Sequence, residues 1–222
     1  MSRAPSIAGV TIEVGADAVV VRADRPLRVV SSAIVGGGLA HARAIVNLHV
    51  PRGFHCADSE ADLAEFARRR GVPAPFVGLL TGAATEKAET TLARRDGLAV
   101  SAVVTLGLSN RSAAGRSAPA AWAASTINTI VIVDAEPEDA ALVNLVITAT
   151  EAKTLALIDA DITAPDGGRV TGTSTDAVVV AATGQGPRCR FGGPVSELGW
   201  LAARAVKTAV DASVARWTAE RR

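Results

Sequence analysis

Apolar and polar residues alternate near the start of the chain in the pattern typical of half-buried strands. Val10, Ile12 and Val14 alternate with polar residues, a Gly-Ala-Asp turn follows, and Val19–Val21 is apolar again. This pattern predicts a hairpin. The polar segment Asp24-Arg-Pro26 then separates that hairpin from the next strand, because Asp and Pro favour a turn. Further strands are predicted over 27–31, 44–50, 76–81, 87–93, 98–106, 126–134 and 177–182.

Three segments have the apolar spacing of helices. The first runs from 58 or 59 to 70, with Leu63, Phe66 and Ala67 on its buried face. The second, over 137–158, is apolar on nearly all sides, which predicts that it is buried all round. The third covers 194–220 and carries an apolar stripe. The pattern predicts a single α+β domain over 1–222, with a mostly antiparallel mixed sheet and about three helices packed on it.

Short segments recur between the two halves of the chain. Ile45-Val-Asn47 is similar to Thr126-Ile-Asn128, and the Thr-Gly pair at 81–82 is similar to the pair at 171–172. The repeat is compatible with two pseudo-symmetric halves, and chance similarity is the alternative. If the halves are related, Asn47 and Asn128 should lie close to one shared cleft.

The composition argues against several classes of partner. Only 3% of residues are aromatic and the formal net charge is +1, so neither base stacking nor an electrostatic footprint for nucleic acid or membranes is expected. No apolar run approaches the ~20 residues that span a bilayer. Cys56 and Cys189 are predicted to be unpaired thiols of a cytoplasmic protein. The spacing of His41, His49 and His55 does not suggest a metal site.

The second predicted helix contains two charges, Glu151 and Lys153. Residues two positions apart in sequence are rotated by about 200° around a helix. These two side chains therefore point to nearly opposite sides, and only one of them can face a given pocket. We predict that Glu151 faces a site and that Lys153 supports it. The alternative is that Glu151 pairs with an arginine such as Arg43 or Arg111.

A hydroxyl-rich turn, Thr171-Gly-Thr-Ser-Thr-Asp176, precedes the strand at 177–182. Its hydroxyls, backbone N–H groups and carboxylate could seat amide or phosphate oxygens, or orient a water. The alternative is a capped turn whose side chains bond only their own backbone.

Gly36-Gly-Gly38 would allow a ligand to approach the backbone closely, but it lacks the residues of a phosphate loop. Ser125 has no G-x-S-x-G context, so a serine triad is not predicted.

Four segments occur in an order and spacing that resemble the adenosylcobinamide amidohydrolases. They are Thr126-Ile-Asn-Thr129, Ile147-Thr-Ala-Thr-Glu-Ala-Lys-Thr154, Thr171-Gly-Thr-Ser-Thr-Asp176 and Ser196-Glu-Leu-Gly199. The resemblance covers about 31–210. Ser125 departs from the family pattern, which has Gly before Thr-Ile-Asn.

The resemblance implies hydrolysis of the amide that joins the aminopropanol arm to the corrin ring, which gives adenosylcobyric acid and 1-amino-2-propanol. The cobalt enters with this corrinoid substrate, so no cofactor of the protein itself is expected. For such a reaction we predict Glu151, Asp176, Lys153 and Asn128 as the catalytic residues. Substrate-binding groups are expected at Asn47, Gly37, Asn110, Thr171, Thr173, Ser174 and Thr175.

Two chemical routes remain open from the sequence. In the first, Glu151 or Asp176 activates a water, Asn128 and Thr173 donate to the oxyanion, and Lys153 supports the carboxylate. In the second, a hydroxyl of the 173–175 segment attacks and forms an ester. We favour the water route because the sequence shows no base paired with a hydroxyl.

Two other functions compete with catalysis. One is a corrinoid-binding protein without hydrolase activity, and the other is a structural or oligomerisation domain whose buried charges pair internally. The sequence leaves both a monomer and a homo-oligomer open.

Overall fold

A computed structural model describes residues 1–51, 54, 59–119 and 125–221. Asp58, His55 and Cys56 lie outside these residues. The helices are α1 (Ser59–Arg69), α2 (Asp139–Asp159) and α3 (Glu197–Ala219), and a 3-10 turn covers Thr85–Lys87. The strands are β1 (Ser2–Ala4), β2 (Val10–Val14), β3 (Ala18–Ser31), β4 (Gly38–His49), β5 (Phe76–Thr81), β6 (Glu89–Arg95), β7 (Leu98–Leu106), β8 (Arg111–Ser112), β9 (Ile127–Asp134), β10 (Glu136–Pro137), β11 (Gly172–Thr173), β12 (Ala177–Ala182) and β13 (Arg188–Cys189).

Nine strands form one large sheet. Its order is β1-β2-β3-β12-β9-β7-β6, while β4 also pairs with β3 and β5 pairs with β4. Most neighbours are antiparallel, but β4 with β5 and β9 with β12 are parallel. The prediction of an α+β fold, with a mostly antiparallel mixed sheet and three helices, is therefore confirmed.

The two halves repeat one arrangement of elements. In the first half, β3 and β4 are antiparallel, α1 follows, and β5 returns parallel to β4. In the second half, β7 and β9 are antiparallel, α2 follows, and β12 returns parallel to β9. The Thr-Gly pairs are not equivalent, because the first pair lies at the end of β5 whereas the second precedes β12. The repeat therefore lies in the order of elements rather than in these dipeptides.

The apolar core has three parts, which show how the layers pack. Side chains of β2, β3, β4 and β5 form one cluster with side chains of β7, β9 and β12, so these two groups of strands face each other. The opposite face of β7, β9 and β12 packs against α2 and α3. Leu63 and Phe66 of α1 cover the outer side of β3, β4 and β5, and the predicted buried face of that helix is confirmed.

The predicted break between two strands at Asp24-Arg-Pro26 is wrong, because β3 is continuous from Ala18 to Ser31. The pairing of β3 with β4 shifts register between Arg22 and Leu27, which accommodates the polar segment as an irregularity within the strand. Before this point β3 pairs with β2, and after it β3 pairs with β12. The segment that looked like a turn is the point where β3 changes its partner.

The prediction that α2 is buried all round is also wrong. Leu142, Leu145 and Ala149 pack against the sheet, whereas Ile147 and Leu155 are 50% and 49% exposed. By length and composition α2 could cross a membrane, but half of its most apolar window is buried within the fold. Helix α2 therefore has one packed face and one exposed face, although both are apolar.

Two identical substitutions in α2 test which face is buried. We expect Leu145→Ala to lower the free energy of unfolding by about 2–5 kcal/mol, because it leaves a cavity beneath the helix. We expect a markedly smaller loss for Leu155→Ala, because that side chain is half exposed. Urea unfolding of both variants measures the difference, and equal losses would contradict the orientation of α2.

Candidate active site

Two buried asparagines join the facing halves of the sheet. Asn128 of β9 donates from Nδ2 to Oδ1 of Asn47 of β4 at 2.8 Å, and to the carbonyl oxygen of Leu80 at 2.8 Å. Asn47 in turn donates to the hydroxyl of Thr105 at 2.9 Å. Asn47 and Asn128 therefore lie close together, as expected for related halves, but only Asn128 is part of a cleft lining.

The bonds of Asn128 limit what this side chain can do chemically. The carbonyl of Leu80 can only accept, which fixes the orientation of the amide, and both amide protons are then used within the protein. Oδ1 of Asn128 lies 3.1 Å from the hydroxyl of Thr126. As placed here, Asn128 has no proton left for an oxyanion, so it acts as a positioning residue between the two halves.

Asp176 is the centre of a second polar cluster. Lys153 Nζ lies 2.5 Å from Oδ2 of Asp176, while Oδ1 accepts from Thr173 Oγ1 at 2.5 Å and from the backbone N–H of Ile127 at 3.0 Å. The side chains of Lys153 and Asp176 are only 7% and 14% exposed. The carboxylate thus bonds α2, the start of β9 and the hydroxyl-rich turn at once.

Gly172 makes room for this cluster. A Cβ atom at this position would collide with the carboxylate of Asp176 and would lie 2.7 Å from Lys153 Nζ. The need for glycine here comes from the space that the charged pair occupies. This steric requirement explains why glycine follows Thr171 in the hydroxyl-rich turn, and it could not be inferred from the sequence pattern alone.

Asp176 lies at the junction of two clefts. The large cleft, about 940 Å³, includes Lys153, Thr173 and Asp176 in its lining. The small cleft, about 170 Å³, includes Thr126, Asn128 and Asp176. Because Asp176 lines both, one carboxylate can contact a ligand that extends from the large cleft into the small one.

Most of the predicted site residues come together around these clefts. Lys153, Asp176 and Asn110 line the large cleft together with the turn residues Thr171, Thr173 and Ser174. Thr175 lines the small cleft with Asn128. Asn47 lies directly behind Asn128.

Two predicted residues lie elsewhere. Gly37 is exposed in the loop before β4 and is not part of either lining, and Glu151 is exposed on the outer face of α2.

The predicted orientation of the two charges in α2 was therefore wrong. Lys153 is buried and faces the cluster, whereas Glu151 points away from it. The prediction that Glu151 and Lys153 point to opposite sides of α2 was correct. The choice of Glu151 as the buried one was not, because apolar residues occur on both faces of the helix and do not indicate which face is buried. The alternative pairing of Glu151 with Arg43 or Arg111 is also absent among the ion pairs of the described residues, and the guanidinium of Arg111 donates to the carbonyls of Thr163 and Leu108.

Thr126 was not predicted as a site residue, yet its hydroxyl lies within hydrogen-bond distance of both Asn128 and the carbonyl oxygen of Thr175, the latter at 2.6 Å. A threonine at the start of a strand is typical of strands in general, so it attracted no attention. The available signal was its spacing of two residues from Asn128, which places both side chains on one face of the strand.

Comparisons with known proteins place nearly the whole chain in one family. The family described as adenosylcobinamide amidohydrolase matches residues 4–222. An adenosylcobinamide amidohydrolase of Methanosarcina mazei is 34% identical over 163 residues, which are 73% of this chain and 72% of the relative. One from Halobacterium salinarum is 37% identical over 158 residues, which are 68% of this chain and 62% of the relative.

Among solved structures, a protein of Pyrococcus horikoshii has a TM-score of 0.48 at 11% identity, covering 97% of this chain and 81% of its own. A Burkholderia β-aminopeptidase has a TM-score of 0.45 at 13% identity, covering 95% and 81%. These likenesses are too distant to carry weight for the fold or the chemistry.

Removing one partner of the buried pair should cost more than removing both. We expect Lys153→Met to lower the free energy of unfolding by about 3–5 kcal/mol, because it leaves Asp176 charged and without its cation in a protected site. The double variant Lys153→Met with Asp176→Leu should recover part of this loss. Urea unfolding of both single variants and the double variant measures the coupling, and strictly additive losses would refute the paired arrangement.

Proposed function

The chain belongs to the adenosylcobinamide amidohydrolase family, and we propose that it hydrolyses the amide between the aminopropanol arm and the corrin ring of adenosylcobinamide. The products are adenosylcobyric acid and 1-amino-2-propanol. The match over residues 4–222 carries this proposal. Both curated relatives bear the name of the enzyme, which favours catalysis over corrinoid binding alone.

The two clefts suit a substrate with a broad ring and a slender arm. The large cleft is open and has the volume for part of a ring system, and we assign the corrin to it. The small cleft is narrower and includes Ile34, Leu79 and Thr126, and we assign the aminopropanol arm to it. The scissile amide then lies at Asp176, where the two clefts meet.

Thr173 is the proposed nucleophile. Its hydroxyl donates to Oδ1 of Asp176 at 2.5 Å, which is the pairing of a nucleophile with a base that a covalent route requires. This contact reverses the preference for the water route, which rested on the lack of such a pair. In the attack, Thr173 Oγ1 forms a bond to the amide carbon while its proton passes to Asp176.

Lys153 is proposed to stabilise the negative charge that develops on the carbonyl oxygen. Its ammonium group has three protons, and Asp176 accepts one of them. The remaining protons can face the large cleft, which Lys153 lines. Charge-assisted hydrogen bonds in a protected site are the strong ones, so this donor can replace the role first assigned to Asn128.

The remaining steps restore the site. The amide C–N bond breaks, and the nitrogen takes the proton from Asp176 and leaves as the free amine of 1-amino-2-propanol. A water then attacks the ester carbon, Asp176 accepts its proton, and the oxygen of Thr173 leaves and regains a proton from Asp176. We propose that these steps need no cofactor of the protein itself, and the cobalt belongs to the substrate.

Incubation with adenosylcobinamide tests the function and the nucleophile together. We expect mass spectrometry to detect adenosylcobyric acid and 1-amino-2-propanol with the wild-type chain. Thr173→Ala should lower kcat by at least about a hundredfold, because the attacking oxygen is lost, and Thr173→Ser should retain much of the activity. Adding hydroxylamine should trap the ester as a corrinoid hydroxamate. An active Thr173→Ala variant that yields no hydroxamate would instead favour direct attack by water.

Matched carboxylate variants test which acid accepts the proton of the nucleophile in the proposed reaction. Asp176→Asn should lower kcat by about 10²–10⁴-fold, because the amide cannot accept the proton of the nucleophile. Glu151→Gln, the same change of acid to amide on the exposed face of α2, should leave kcat unchanged. Circular dichroism confirms that both variants are folded. A large loss in Glu151→Gln, or full activity in Asp176→Asn, would overturn the assignment.

A further inference from the structure

A third cleft, about 270 Å³, lies beside the small cleft and has a predominantly polar lining. The 3-10 turn Thr85–Lys87, the end of β7 and the last turns of α3 contribute to it. The described residues in its lining include three full cations, Lys87, Arg216 and Arg221, and a single acid, Glu220. The proposed mechanism uses none of these residues.

The cations of the third cleft are only partly neutralised. Lys87 donates to Glu220 at 2.6 Å, and Arg216 pairs with Glu89. The pKa of Glu220 is lowered by the hydrogen bond from Lys87 and further by the charges of Arg216 and Arg221. The guanidinium of Arg221 stacks on the ring of Trp217, 4.0 Å from its centroid, and no ion pair links Arg221 to an acid among the described residues. The three positive charges of Lys87, Arg216 and Arg221 therefore face two negative charges, those of Glu220 and Glu89, and the net charge of this group is positive.

Ser213 provides a second, independent observation. This residue is 5% exposed, and its Oγ has no hydrogen-bond partner among the described residues. A buried hydroxyl without a partner costs free energy, so an acceptor that the structure does not contain would satisfy it. Ser213 is part of the lining of the third cleft, together with the three cations.

The third cleft is connected to the proposed site of hydrolysis. Gly82 and Ser125 line both the third cleft and the small cleft. Thr175, the neighbour of Asp176, donates to the carbonyl oxygen of Ser125 at 2.9 Å. The small cleft, which Asp176 lines, therefore adjoins the third cleft at Gly82 and Ser125.

We propose that the third cleft binds a phosphate ester carried on the hydroxyl of the aminopropanol arm. Ammonium, guanidinium and hydroxyl donors are the groups that recognise phosphate oxygens. The same amide bond is cleaved, and the phosphate stays on the departing amine. This proposal rests on the proposed function, because it extends the arm that the small cleft holds.

Comparing two substrates tests this subsite. Adenosylcobinamide and its arm-phosphate ester are each assayed for kcat/KM with the wild-type chain, Arg221→Gln, Glu220→Gln and the control Arg188→Gln, which lies on β13 and outside the lining of the third cleft. We expect the wild-type chain to cleave the ester. The ratio of kcat/KM for the ester to that for adenosylcobinamide should fall about tenfold in Arg221→Gln, since one charge-assisted bond is lost. The ratio should rise in Glu220→Gln and stay constant in the control.

The outcomes separate this proposal from the function on which it rests. If neither substrate is cleaved, the proposed function fails. If adenosylcobinamide is cleaved and the ester is not, the function stands and the phosphate subsite is wrong. A ratio that is the same in the wild-type chain, Arg221→Gln and Glu220→Gln would also overturn it. Lys87→Gln provides a second variant, and the ratio should again fall, because a cation is lost and Glu220 is left unpaired.

Discussion

The buried pair of Lys153 and Asp176 is the constraint on which the rest of the site depends. Two charges in a protected position are costly unless other groups complete their hydrogen bonds. The hydroxyl of Thr173 and the N–H of Ile127 bond Oδ1 of Asp176, and the absence of a side chain at Gly172 leaves room for the pair. The pair therefore fixes the rotation of α2, the conformation of the hydroxyl-rich turn and the start of β9 together.

A second polar group, the amides of Asn47 and Asn128, holds the facing layers in place. Apolar packing alone tolerates some sliding of one layer over another, whereas a buried amide must meet its partners at defined distances. The bonds from Asn128 to Asn47 and to the carbonyl of Leu80 cross between the two halves of the sheet. The hydroxyl of Thr126 lies between Asn128 and the turn that carries Asp176, 3.1 Å from Oδ1 of Asn128 and 2.6 Å from the carbonyl oxygen of Thr175, and it can donate its one proton to either. Hydrogen bonds from both halves of the sheet thus help to position the carboxylate of Asp176.

The sequence predicted the elements whose signals are local and missed the features that depend on tertiary contacts. Alternation and turn residues were sufficient for β5, β7 and β12, and periodicity was sufficient for the buried face of α1. Periodicity could not orient α2, because apolar residues occupy both of its faces, so the burial of Lys153 instead of Glu151 was not predictable. The continuity of β3 depends on pairing first with β2 and then with β12, and no local pattern encodes that change. The role of Thr126 likewise depends on partners from distant segments.

The arrangement of charges explains how a paired lysine could assist amide hydrolysis without moving. In the resting site, the ammonium of Lys153 is balanced by the carboxylate of Asp176 at 2.5 Å. When Asp176 accepts the proton of Thr173, that carboxylate becomes neutral at the moment when the carbonyl oxygen gains a negative charge. The ammonium then exchanges one anionic partner for another, and the net charge of the protected site stays constant. Little reorganisation is needed, because the donor is already oriented by its bond to Asp176, and preorganisation of this kind is the main source of electrostatic stabilisation in catalysis. The burial that makes the pair costly in the folded protein is therefore also what makes it effective in the proposed reaction.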